Sequence, residues 1–98
     1  MDPFEIRETF TYVRWFERLR DRQARARILQ RVRRLSLGNP GDCEPVGEGV
    51  SELRIDCGPG YRVYFVQRGK VFIVLLAGGD KRSQQRDIET ALQIARKY

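Results

Sequence analysis

Residues 50–81 read VSELRIDCGPGYRVYFVQRGKVFIVLLAGGDK. Three strand-like runs and two tight turns lie in this stretch. In the first run, residues 50–57, Leu53, Ile55 and Cys57 alternate with Glu52, Arg54 and Asp56. A period of two marks a strand with one buried face. Gly58-Pro59-Gly60 then breaks the chain, as Gly and Pro do in hairpin turns. The second run sets Tyr61, Val63 and Phe65 on one face and Arg62, Tyr64 and Val66 on the other. Matching the apolar faces sets the register, with Cys57 opposite Tyr61, Ile55 opposite Val63 and Leu53 opposite Phe65. The other face then pairs Asp56 with Arg62 and Arg54 with Tyr64. Arg68-Gly69 makes the next turn. Residues 70–77 are apolar almost throughout, which predicts a central strand covered on both sides.

Upstream of this meander, residues 4–8 alternate weakly and are read as a short first strand. Thr9 or Thr11 can cap a helix whose apolar face is Tyr12, Trp15, Phe16 and Leu19, spaced i, i+3, i+4 and i+7. That spacing assigns the three aromatics to the core rather than to base stacking. Asp21 caps a second helix, residues 22–37, with Ala24, Ile28, Val32 and Leu35 as its stripe and Gly38 as its stop. So short a joint implies an antiparallel helical hairpin. Residues 38–49, GNPGDCEPVGEG, read as a loop. After the meander, Gly78-Gly79-Asp80-Lys81 reads as a tight strand-to-helix turn, and Ser83 caps a last helix facing inward through Ile88, Ala91, Leu92 and Ala95. The order is β-α-α-β-β-β-α, an α+β domain over residues 1–98, with the helices expected on one side of an antiparallel-rich sheet.

The chain of 98 residues carries 19 Lys+Arg against 13 Asp+Glu, a formal charge of +6. Lysine occurs only at Lys70, Lys81 and Lys97, so the positive charge is mostly guanidinium. Arginine forks match phosphate oxygens and stack on bases, which favours an anionic partner. A solvated arginine-rich helix face is the competing explanation. There is no histidine, which excludes the usual zinc sites and His-based nucleophile schemes. Cys43 and Cys57 have neither zinc-ligand spacing nor a disulfide-rich context. MDPFEIRETF holds no apolar segment of signal-peptide length, and no run approaches membrane-spanning length. These features predict a reduced, cytoplasmic protein needing neither metal nor other cofactor.

The strings GEGVSELRIDCGPGYRVYF and LLAGGDKRSQQRDIETA, the element order and the basic helical pair resemble the RelE/ParE superfamily of bacterial toxins, and most closely its HigB-like addiction-module killer proteins. The resemblance covers nearly the whole chain. It implies the toxin of a type II toxin–antitoxin system, silenced by an antitoxin from the neighbouring gene, of helix-turn-helix type. Many such toxins are ribosome-dependent, metal-independent mRNA endonucleases, whereas the ParE branch poisons DNA gyrase. A degenerate toxin that only binds its antitoxin is a third reading. Family membership does not fix activity.

A metal-free ribonuclease must activate the ribose 2′-hydroxyl, stabilise charge on the phosphorus and protonate the leaving 5′-oxygen. The resemblance places Arg54 and Arg62 on successive strands and Lys81 after the last strand as catalytic candidates, with Tyr64 and Asp80 adjacent. Two arginines on one sheet face form a phosphate clamp. Alternatively they are solvated residues paired with Glu52 and Asp56, in exposed ion pairs of little energy. Lys81 among arginines is a candidate base, or else a solvated first-turn lysine. Arg27, Arg31, Arg34 and Arg82 are the candidate RNA contacts.

Overall fold

The computed structural model describes residues 3–98; Met1 and Asp2, at the head of the opening stretch, lie outside them. Strand β1 is Glu5–Glu8, helix α1 Phe10–Arg18 and helix α2 Arg22–Ser36. Strands β2 (Cys43–Gly47), β3 (Val50–Ile55), β4 (Tyr61–Arg68) and β5 (Phe72–Asp80) follow, and helix α3 spans Gln84–Ala95. The sheet order is β1-β5-β4-β3-β2, with β1 parallel to β5 and the other neighbours antiparallel. β5 therefore stands between β4 and β1, as its apolar run predicts. This is the α+β architecture expected of a RelE-like fold.

Local chemistry explains the element ends. Thr9 caps α1 by accepting from the Tyr12 N–H at 3.1 Å, and its hydroxyl donates to the Leu76 carbonyl at 2.7 Å. Leu76 is the extra residue of a β5 bulge, where Tyr64 pairs with Ala77 and Phe65 with Leu75. Asp21 caps α2, accepting from Gln23 N–H at 3.0 Å and Ala24 N–H at 3.1 Å. Gly38, at φ 88°, stops it in a left-handed conformation that costs glycine little.

Several expectations need correction. The helices do not share one side of the sheet. α1 and α2 bury Tyr12, Ile28 and Leu35 against Leu53, Ile55, Val63, Phe65, Ile73 and Leu75. α3 sets Ala91 and Ala95 on the opposite face, against Val50, Tyr64, Val66, Val74, Leu76 and Ala77. The polar alternation of β3 hides this second core, because Glu52 and Arg54 occupy the same face.

Secondly, residues 38–49 are not all loop, because β2 pairs with β3 at the sheet edge, where a bulge and Pro45 are tolerated. Glu48 and Gly49, at φ 52° and 82°, form the two-residue turn that closes this hairpin.

Thirdly, the β3–β4 register is shifted by two residues. Ile55 pairs with Tyr61, Leu53 with Val63 and Arg54 with Arg62. A local turn consumes the residues expected to pair, since Cys57 N–H donates to Ile55 O at 3.0 Å and Gly60 N–H to Cys57 O at 3.1 Å. The face assignments survive because the shift is even.

Gly78 and Gly79 belong to β5 rather than to a turn. A Cβ at Gly78 would meet the Trp15 ring at 2.1 Å, and one at Gly79 would meet Asp87 Oδ2 at 1.8 Å. The glycines let α1 and the start of α3 close on the two faces of the strand. Ser83 makes no capping bond; its hydroxyl donates to Asp87 Oδ2 at 2.5 Å. Asp80 is the cap here, accepting from Arg82 N–H at 2.8 Å to start a 3₁₀ turn, Lys81–Ser83.

Candidate active site

The register sets Arg54 directly across from Arg62. Two like charges in that position destabilise a sheet unless an anion lies between them. Glu52, one pleat along the same face of β3, supplies it. Its side chain is 1% exposed. Oε1 accepts from Arg54 Nε at 3.1 Å and from Arg62 Nη1 at 2.5 Å. Oε2 accepts from Gln84 Nε2 at 2.8 Å and from the Tyr64 hydroxyl at 3.3 Å. Burial works to raise the Glu52 carboxyl, but the bonds from Arg54 and Gln84 and the charge of Arg62 outweigh it and hold it below the ordinary glutamate range. A carboxylate so enclosed persists because its lone pairs are satisfied by charged and neutral donors.

Arg54 and Arg62 line a cleft of about 300 Å³, together with Asp42, Ile55, Asp56, Gly60, Tyr61 and Lys81. Three sequence-chosen cations are thus gathered at one end of the sheet. The two arginines differ. Arg54 is 39% exposed and also lies 3.9 Å from Glu44, whereas Arg62 is only 12% exposed. Arg62 Nε is buried and has no hydrogen-bond partner. Arg62 is therefore not half of an exposed ion pair, and its expected neighbour Asp56 lies outside the strand. Lys81 is exposed at the start of the 3₁₀ turn, with its Cβ beside Gly60.

Tyr64 stands behind this arrangement. It is fully buried, and burial, then the Glu52 charge, push its hydroxyl far above the ordinary tyrosine value. It reaches the cleft only through Glu52. Asp80 is turned to its own neighbours, with Oδ2 3.0 Å from Arg82 Nη2, and the Arg82 hydrogen bond lowers its carboxyl. Arg82 is 83% exposed and tied to that pair.

On α2, Arg27 is exposed and donates to Asp56 O at 3.4 Å, and Arg34 is exposed. Arg31 is committed elsewhere. Its guanidinium donates to the Arg54 carbonyl, to Pro40 O at 2.8 Å and to Asp42 O at 3.1 Å. It clamps the chain before β2 against β3 and so sets one wall of the cleft.

Sequence reasoning overlooked Tyr61 and Asp42. Tyr61 packs edge-on to Trp15, with ring centroids 6.4 Å apart. Burial first, then Asp21 and Asp80, raise its hydroxyl above the ordinary value, which favours the protonated phenol. Its alternation assigned it to the core, and only the strand end brings it to the cleft. Glu52 carried a readable signal, an acid two residues from Arg54 on the same face. Cys43 and Cys57 are free thiols. Among the described residues no group of three or more His, Cys, Asp or Glu is placed to hold a metal ion, and no helix is long and apolar enough to cross a membrane.

Residues 14–97 match the family model "Phage derived protein Gp49-like (DUF891)". An uncharacterised protein of Haemophilus influenzae is 44% identical over 91 residues, 93% of this chain and 92% of that protein. No solved structure matches.

Proposed function

From its place in the Gp49-like family, to which this chain belongs, we propose that the protein is the toxin of a toxin–antitoxin pair and cleaves mRNA on the ribosome at the Arg54–Arg62–Lys81 cleft. The toxin-like strings fall within the residues that the family model covers. The observation that carries the reading is the convergence of two arginines, a lysine and a tyrosine on one cleft, with both arginines locked on a buried carboxylate.

That arrangement suits in-line phosphoryl transfer. A base takes the proton of the 2′-hydroxyl, the 2′-oxygen bonds to phosphorus, and the bond from phosphorus to the 5′-oxygen breaks. The 5′-oxygen takes a proton, leaving a 2′,3′-cyclic phosphate and a 5′-hydroxyl. Arg54 and Arg62 meet the charge that develops on the phosphoryl oxygens. Tyr61, held as a phenol, donates to the leaving oxygen. Lys81, as base, must arrive without its proton; Asp42 and Asp56 line the same cleft, and a carboxylate accepts a proton directly. Three cations also repel a divalent metal, which suits metal-independent chemistry.

The test is in vitro translation with mapping of mRNA 5′ ends, run beside a gyrase supercoiling assay. Loss of one preorganised donor lowers a rate by roughly 10²–10³. Arg62→Ala strands a nearly buried carboxylate, so Arg62→Lys, which keeps the charge and removes the fork, is the cleaner variant. Arg54→Ala combined with Arg62→Lys should stay folded and lose cleavage. Lys81→Ala and Asp56→Asn should then differ in pH–rate profile, with the base identified by the variant that loses the limb. A folded double variant that still cuts as the parent does would remove the active site from this cleft, and a parent that inhibits supercoiling without cutting mRNA would sink the nuclease reading.

A further inference from the structure

α1 presents an outer groove of about 470 Å³ lined by Phe10, Thr11, Arg14, Trp15 and Arg18. Phe10 is 75% exposed, so its ring is open to a ligand. The Arg14 guanidinium lies over its ring, 5.5 Å from the centroid. Among the described residues neither Arg14 nor Arg18 has a carboxylate partner, and no acid lines the groove. The groove also adjoins the cleft. Trp15 lines the former, Tyr61 lines the latter, and the two rings are in edge contact. Trp15 is held in that place by Gly78, whose missing side chain makes room for the indole.

We infer that the α1 groove is a second subsite for single-stranded RNA, continuing the strand whose scissile phosphate lies between Arg54 and Arg62. This rests on the nuclease reading and deepens it by fixing the strand's path. A base stacks on Phe10, and Arg14 and Arg18 hold the flanking phosphates. An exposed aromatic interleaved with guanidiniums is the way single strands are held without regard to sequence. Charge complementarity and continuity with the cleft favour RNA over a protein helix, which an apolar groove would suit better.

The probes are 2′-O-methyl oligoribonucleotides, which cannot be cut by 2′-hydroxyl attack, of about three and about twelve nucleotides, the first below and the second within the usual range of site sizes. Trp15 is the only tryptophan, so its fluorescence reports the boundary between the two sites directly. The long strand should quench Trp15 and the short one should not. Phe10→Ala should weaken the long strand by roughly 5- to 150-fold and leave the short one unchanged. Arg14→Ala with Arg18→Ala should lower the slope of log affinity against log salt by about 1.4.

Phe10→Ala binding the long strand as the parent does, or a parent that binds neither strand, overturns the inference. So does a Phe10→Ala that keeps RNA binding and loses only a protein partner. If Arg54→Ala/Arg62→Lys still cuts while the long strand still needs Phe10, the assignment of the cleft as the catalytic site fails and the groove stands. If the cleft variants lose binding and Phe10→Ala does not, the groove alone fails.

Discussion

Glu52 is the residue on which the site turns. A carboxylate with four donors around it fixes the two guanidiniums more firmly than solvent would, and it ties them to Gln84 at the head of α3. Glu52→Gln keeps the shape but removes the charge that offsets Arg54 and Arg62. Breaking a buried ionic cluster by removing one partner costs about 3 kcal/mol or more, so this change should hurt stability more than Arg54→Ala. The pH dependence follows from the depressed carboxyl. A group whose folded value lies below its unfolded value stabilises the fold above the unfolded value, and loses that contribution as pH falls through the folded one. The unfolded reference for glutamate is 4.5. The gap in urea midpoint between parent and Glu52→Gln should therefore be full at neutral pH and close progressively below that value. A gap that is constant from neutral to acid would show that the Glu52 charge is not what holds the arginines.

Among the elements, α2 shows why arginines in one helix cannot be treated alike. Arg31→Ala removes charge-assisted bonds to three carbonyls and frees the chain that carries Asp42, at a cost of about 2–3 kcal/mol. Arg27→Ala removes one long bond at the surface, worth less than about 0.5 kcal/mol. In an RNA-binding titration Arg27→Ala should lower the salt slope by about 0.7 without loss of stability. Arg31→Ala should show its effect first in thermal unfolding, and the reverse pattern would return Arg31 to the RNA-contact role. The helices were legible because their signals are local: Asp21 as a cap, Gly38 as a stop, and apolar residues spaced around one face. β2 was not, because Gly, Pro and charge mark an edge strand and a loop alike. The register of β3 with β4 depended on how many residues the intervening turn takes, which alternation does not encode. Gly78-Gly79 read as a turn because the reason for both glycines, Trp15 on one side and Asp87 on the other, comes from elements distant in sequence. Arg54, Arg62 and Lys81 were reached by resemblance, and what sequence could not show was that Tyr64 stands behind Glu52 and Asp80 pairs with Arg82, so that neither lines the cleft that those three share.

At the scale of the whole molecule, α3 works as a strut fastened at both ends. Gln84 fixes its start to Glu52, while Arg68 donates to Ala95 O at 2.8 Å and Tyr98 O at 3.0 Å to hold its end. Arg96 grips Glu48 at the β2–β3 turn through two bonds, of 3.0 Å and 2.6 Å. The cleft arginines are thus braced by a helix that lines no part of the cleft, and the cleft itself is left open. On the proposed mRNA-cleaving reading, a chain of net charge +6 attracts phosphate chains of any sequence and so needs a partner to restrain it. On that reading the partner should be acidic and should cover the Arg54–Arg62 cleft. Expression of the chain alone should arrest growth, and co-expression with the adjacent reading frame should relieve the arrest. The purified pair should also bind single-stranded RNA with a flatter salt slope than the free chain, because the partner's acids replace phosphates at the same cations. Relief of growth arrest with RNA binding unchanged would place the partner away from the cleft. A chain that arrests nothing and binds no neighbour would remove the toxin reading altogether.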